Sequence, residues 1–200
     1  IADEIDAAII AAPTTLHYAI GKKLLARGVH LLIEKPITVE VHEADELVEL
    51  ASANGCVLQV GHVERFNPAL AAALPHLSEP KFIQARRLTG FTCRSTDVGV
   101  VLDLMIHDID IVQQLARSEV VDVEALGLSL LSQHEDVAHA RIKFANGCIA
   151  ELTASRASFE ARRSLQVWTA KAFTEVDFAT NSARVVEPSE TLLRGELDVD

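Results

Sequence analysis

The fold is decided by "VHLLIEKPITVEVHEADELVELASANGCVLQVGH", residues 29–62, where two short apolar runs flank a segment with helical period. Val29 to Glu34 reads as a strand buried on both faces, because Val29, Leu31, Leu32 and Ile33 show little polar alternation. Thr38 is the expected cap of a helix with Val41, Ala44, Leu47, Val48 and Ala51 on its apolar side. Gly55 stops that helix, and Cys56 to Val60 is the next strand. Upstream, Ile5 to Ala12 reads as a core strand. Pro13-Thr14-Thr15 then opens a helix with threonine as its cap and Gly28 just past its end. A β-α-β-α-β order with short links predicts a parallel, doubly wound sheet. In such sheets ligands bind beyond the carboxyl ends of the strands. Those ends are Ala12-Pro13-Thr14, Glu34-Lys35-Pro36 and Gly61-His62.

The pattern changes after residue 62. Asn67-Pro68 opens a short helix, with Asn at the cap and Pro at the first helical position. Lys81 to Leu88 reads as a strand and Asp103 to Arg117 as a helix. Strand-like runs follow near 120–131, 136–144, 147–155, 162–170 and 172–179, with Asn146-Gly147 as a hairpin turn. Strands in succession without helices between them predict an antiparallel sheet. The expected fold class is therefore α/β followed by α+β. Residues 1–62 form part of a Rossmann sheet, and 63–200 form an open antiparallel sheet with helices on one face.

Composition narrows the function. The chain has 200 residues, with 29 acids against 18 Lys and Arg, for a net charge of -11. No basic cluster hides in that total, so nucleic acid and anionic membrane are poor partners. Cys56, Cys93 and Cys148 are widely spaced and form no ligand pair, which suits a reduced, cytoplasmic setting. No signal peptide or spanning segment is visible. The first residue is Ile and a strand follows at once, so the chain is expected to begin inside a larger protein.

Groups able to do chemistry gather at the strand ends and on one helix. In "DVGVVLDLMIHDIDIVQQL", residues 97–115, a turn of ~100° per residue aligns Asp103, His107, Asp110 and Gln114. Asp103 can then orient the His107 imidazole from one turn away. Asp108 points away from that line. Lys35, held by Pro36 at the end of a buried strand, can bind an oxyanion or move a proton. His17 sits on the first turn of its helix, and alone such a residue is more often packing. His62, Glu64, Arg65 and Asn67 crowd the third strand's end, with Asn67 equally readable as a helix cap. His62, Asp103, His107 and Asp108 also offer metal ligands, a reading ranked below proton chemistry.

Together, "APTTLH" (12–17), "EKP" (34–36), "GHVERFNP" (61–68) and "GVVLDLMIHDID" (99–110) resemble the Gfo/Idh/MocA family of nicotinamide-dependent oxidoreductases. The resemblance implies a Rossmann domain joined to an open antiparallel sheet, with a sugar substrate between them. It implies NAD or NADP as cofactor, bordered by Pro13, Thr14, His17, Glu34 and Lys35. Lys35, Asp103 and His107 would be catalytic, with His62, Arg65 and Asn67 near the substrate. A homodimer or homotetramer through the second sheet is also implied. The wording of these motifs is most similar to nucleotide-sugar 3-dehydrogenases acting on UDP-N-acetylglucosamine or its uronic acid. No G-x-G-x-x-G loop occurs in the 200 residues, so this polypeptide alone is expected to bind NAD weakly or not at all. A non-catalytic nucleotide-sugar or cofactor binder of the same fold, and a metal-dependent hydrolase using His62, Asp103 and His107, are the alternatives.

Overall fold

The structure is a computed structural model that describes residues 5–92 and 98–196; Cys93 and Asp97 lie outside them. It divides into two compact units, residues 1–63 and 64–200.

The first unit is a parallel sheet in the order β1-β2-β3, formed by β1 (Ala7–Ile10), β2 (His30–Ile33) and β3 (Leu58–Val60). Helices α1 (Thr14–Leu25) and α2 (Val41–Ala53) connect the strands. Leu25, Val29, Leu31, Ile33, Leu47 and Ala51 close its core with Ile10. Gly28 and Gly55 follow the two helices in left-handed conformation, as the sequence predicts.

Four expectations need correction. Neither threonine caps α1, since Pro13 occupies the cap position without a side-chain bond. Thr38 does not cap α2, because its hydroxyl donates to the carbonyl of Glu40 at 2.7 Å. The helix starts two residues later than Thr38 suggests, on a reciprocal capping box of Glu40 and Glu43. The first strand is shorter than Ile5 to Ala12, and of its four residues only Ile10 is buried. Val41 and Val48 likewise face outward on α2.

The second unit is built on seven strands in the order β10-β9-β8-β4-β7-β6-β5. They are β4 (Phe82–Leu88), β5 (Val120–Leu128), β6 (Val137–Phe144), β7 (Ile149–Ser155), β8 (Arg162–Trp168), β9 (Phe173–Asp177) and β10 (Ser182–Val186). Neighbours are antiparallel except for one parallel pair, β4 with β7, so the sheet is mixed. Asn146 and Gly147 make the β6–β7 turn, with Gly147 at φ 84°. Strand β10 is short and polar at its start, and the sequence pattern does not reveal it.

Among the described residues three α-helices complete this unit: α3 (Pro68–Ala73), α4 (Ile106–Ala116) and the short α5 (Glu190–Leu193). The helix expected over Asp103 to Arg117 is not uniform. Val101–Met105 form a wider π turn that leads into α4, and Arg117 ends it in left-handed conformation. Met105, Ile111, Val112 and Ala116 are buried against Ile83, Ala85, Ala150 and Leu152 of the sheet. Among the described residues no helix is long and apolar enough to cross a membrane.

Candidate active site

In the first unit, the strand ends meet through backbone bonds. Glu34 N–H donates to Ile10 O at 2.9 Å, and Gly61 N–H donates to Ile33 O at 2.8 Å. These bonds align the ends of β1, β2 and β3, bringing Glu34, Lys35 and Gly61 to one edge. The Lys35–Pro36 peptide is cis.

His17 is buried, with 1% of its surface exposed. Its Nδ1 lies 2.9 Å from Pro36 O and its Nε2 lies 2.8 Å from Ala12 O. Both ring nitrogens are thus occupied by carbonyls that follow β1 and β2. His17 holds those two chain segments together and presents no free nitrogen. Pro13 is exposed beside it and Thr14 is half-buried.

Glu34 lies across Gly61. A β-carbon on Gly61 would stand 2.8 Å from Glu34 Oε2 and 3.0 Å from its carboxyl carbon. Glycine at that place lets the carboxylate rest over the end of β3. Lys35 is half-buried beside it. The Nδ1 of His62 is buried and finds no hydrogen bond among the described residues.

In the second unit, the π turn carries Asp103 and the first turn of α4 carries His107, both half-buried. Asp110, expected on the same stripe, is committed to Arg65. Arg65 Nε donates to Asp110 Oδ2 at 2.7 Å, and Nη2 donates to Asp110 Oδ1. The Asp110 carboxylate holds the Arg65 guanidinium even more firmly charged than usual. Asn67 caps α3 by accepting from Ala69 N–H at 2.9 Å, and its amide donates to Asn181 at 3.0 Å. The placement of Arg65 and Asn67 is therefore that of a clamp and a cap.

A group the sequence reading set aside proves central to this unit. Asp108, expected to point away from the site, is 3% exposed and paired with Arg87 of β4. Arg87 Nη2 donates to Asp108 Oδ1 at 2.8 Å, and Nη1 donates to Glu64 Oε1 at 3.1 Å. Its guanidinium carbon also lies 5.7 Å from the Phe178 ring centre. Burial pushes the Asp108 carboxyl up, against the pull of Arg87. Burial also opposes the Arg87 charge, but Asp108 and Glu64 outweigh it. The signal was present: Ile83, Ala85 and Arg87 alternate on the buried face of β4, and a buried arginine requires a carboxylate. Among the described residues no group of three or more His, Cys, Asp or Glu is arranged to hold a metal.

This pairing of a parallel α/β unit with a mixed-sheet unit defines a two-domain oxidoreductase class. Residues 1–62 match the model of the oxidoreductase family with NAD-binding Rossmann fold, and residues 78–174 match the GFO/IDH/MocA C-terminal domain. The chain belongs to the Gfo/Idh/MocA family. It is 37% identical over 183 residues to a UDP-N-acetylglucosamine 3-dehydrogenase of Acidithiobacillus ferrooxidans, covering 91% of this chain and 58% of the relative. The solved structure of that enzyme, GnnA, matches with a TM-score of 0.88 at 36% identity, covering 93% of this chain and 62% of the other. A scyllo-inositol 2-dehydrogenase (NAD(+)) of Bacillus subtilis is 31% identical over 170 residues, covering 77% of this chain and 49% of the relative. The chain thus spans about half to just under two thirds of the length of these relatives.

Proposed function

We propose that the protein is an NAD(P)-dependent dehydrogenase that oxidises a secondary alcohol of a nucleotide sugar, with C3 of UDP-N-acetylglucosamine as the favoured position. The observation that carries this reading is the 37% identity to a UDP-N-acetylglucosamine 3-dehydrogenase over 91% of the chain. The presence of Lys35, Asp103 and His107 on elements that fix them supports it.

The residues at the strand ends suit the nicotinamide end of the cofactor. Glu34 offers a carboxylate to hydroxyls, Lys35 a cation, and His17 holds the backbone carrying them. Pro13, Thr14, Glu34 and Lys35 would hold that end of NAD. When bound, the nicotinamide accepts a hydride. The chain's own task is to orient the alcohol and take its proton. His107 or Lys35 removes the hydroxyl proton as the C–H bond breaks, leaving a ketone. Asp103 orients His107 and favours its charged form once the proton arrives. His62, Arg65 and Asn67 border the substrate in this reading. Arg65 and Asn67 do so as parts of the clamp and cap just described.

Copies of the intact protein would associate through the second unit's sheet. Val120, Val121, Val123, Leu126 and Leu128 of edge strand β5 are exposed apolar residues that support this reading.

The test is reduction of NAD and NADP by the intact protein with UDP-N-acetylglucosamine, its uronic acid and scyllo-inositol, followed by Lys35→Ala and His107→Ala. Turnover with a UDP-sugar that each substitution lowers at least about a hundredfold supports the reading. No turnover with either UDP-sugar rejects the substrate. Near-normal rates in both variants reject the residue roles.

A further inference from the structure

We propose that Glu135 is a positioning residue for Asp103 and His107, setting the start of the helical segment that carries them. The inference rests on the roles given to those two residues above.

The loop between β5 and β6 is built around a carboxylate. Asp136 is fully buried and accepts from the backbone N–H of Leu130 at 2.8 Å, Leu131 at 2.6 Å and Ser132 at 2.9 Å. The Ser132 hydroxyl adds a bond at 2.7 Å, and Arg156 Nε stands 3.6 Å away. Charge-assisted bonds of this number fix the turn. Arg156 then reaches onward, its Nη2 donating to Val98 O at 2.5 Å.

Glu135 stands next to that anchor and grips the start of the π turn twice. Its carbonyl accepts from Val100 N–H at 3.0 Å, and its Oε1 accepts from Val101 N–H at 3.2 Å. Gly99 permits the approach: a β-carbon there would overlap the Glu135 carboxylate, which supplies all three of its nearest neighbours. Asp103 lies two residues beyond Val101, and its N–H donates to Gly99 O at 3.0 Å.

A π turn is uncommon and occurs frequently at functional sites. Helix starts leave amides that need outside partners, and here Glu135 supplies two. Without the Glu135 contacts the start of this segment would be free to shift, and with it the placement of Asp103 relative to His107. Glu135 acts through the backbone amides of Val100 and Val101.

The test compares Glu135→Ala, Glu135→Gln, Gly99→Ala and the Gly99→Ala/Glu135→Ala pair in the intact protein. Amide hydrogen exchange is followed over residues 100–107, together with kcat and KM. Glu135→Ala is expected to speed exchange at Val101–Met105 about tenfold, the size of a lost helix-start bond. It should lower kcat by a similar factor and leave KM for NAD unchanged. Glu135→Gln keeps an oxygen for Val101 and is expected to restore both. Gly99→Ala should be costly alone and much less so without the Glu135 carboxylate, a non-additivity that locates the contact. Unchanged exchange in Glu135→Ala, or additive effects in the pair, overturns the proposal. Should the wild type show no turnover with any sugar, the functional reading fails, while the exchange data still judge Glu135.

Discussion

Replacing Arg87 by methionine removes the cation ion-paired with Asp108 and leaves the carboxylate the weaker influence of Arg163, while keeping much of the side-chain volume. The side chains of Arg87 and Asp108 are 5% and 4% exposed, and that of Glu64 is 17% exposed. Three contacts to Asp108, at 3.3, 3.2 and 2.8 Å, and one to Glu64 are lost together. Breaking a buried pair by removing one partner costs about 3–5 kcal/mol, because the other charge stays behind without water. Urea slopes for small proteins run about 1–3 kcal/mol per molar, so the unfolding midpoint should fall by more than about 1 M. Arg87→Met with Asp108→Leu removes both charges and should recover most of the loss, since apolar replacement of a buried pair is often neutral. Lys143→Met is the control: its side chain is 38% exposed and that of its partner Asp122 45%, and the expected cost is at most about 1 kcal/mol. Urea unfolding followed by far-UV circular dichroism measures all three. A midpoint shift below about 0.3 M for Arg87→Met, or no recovery in the double variant, would refute the reasoning.

Gly61→Ala drives a β-carbon to 2.8 Å from Glu34 Oε2. A carboxylate can swing away cheaply, so stability should change by less than about 1 kcal/mol; steady-state kinetics of the intact protein should show a several-fold rise in KM for NAD. An unchanged KM would remove Glu34 from the cofactor corner. Asp136→Asn tests the loop anchor through pH. Burial pushes the Asp136 carboxyl up, but the bonds from Leu131, Ser132 and Leu130 outweigh it and hold it well below its ordinary 3.8. The stabilisation is therefore full above the unfolded value and fades as pH falls below it. Urea unfolding at pH 7 and pH 3 should show the gap between wild type and Asp136→Asn narrowing at the lower pH. A gap independent of pH contradicts this account. Cys148 is 1% exposed and burial pushes its thiol up, whereas Cys56 is half-buried. Native alkylation read by mass spectrometry should modify Cys56 at least about ten times faster, and equal rates would contradict the burial of Cys148.

The parallel order of the first unit was legible because Leu31, Ile33, Leu47 and Ala51 carry unmixed strand and helix periods. The corner at Glu34-Lys35-Pro36 followed from that order alone. What escaped was set by contacts distant in sequence. Arg87 and Asp108 are separated by 21 residues, and neither charge advertises its partner. Glu40 displaced Thr38 as the cap of α2 because the Thr38 hydroxyl bonds locally, which a propensity for threonine at caps does not reveal. The π turn was invisible to a uniform helical period, since its extra residue changes the angle only between Val101 and Met105. His17 read on its own as a packing residue, and its burial agrees, but its contacts to Ala12 and Pro36 required the fold.

The central claim is hydride transfer from C3 of a UDP-sugar, and deuterium placed at that carbon tests it directly. The intact protein is incubated with NAD and C3-deuterated UDP-N-acetylglucosamine, and the reduced cofactor is examined by mass spectrometry. The account predicts that the deuterium appears in the reduced nicotinamide, with a 3-keto sugar as the other product. Reduced cofactor without deuterium, or no reduced cofactor at all, would contradict it.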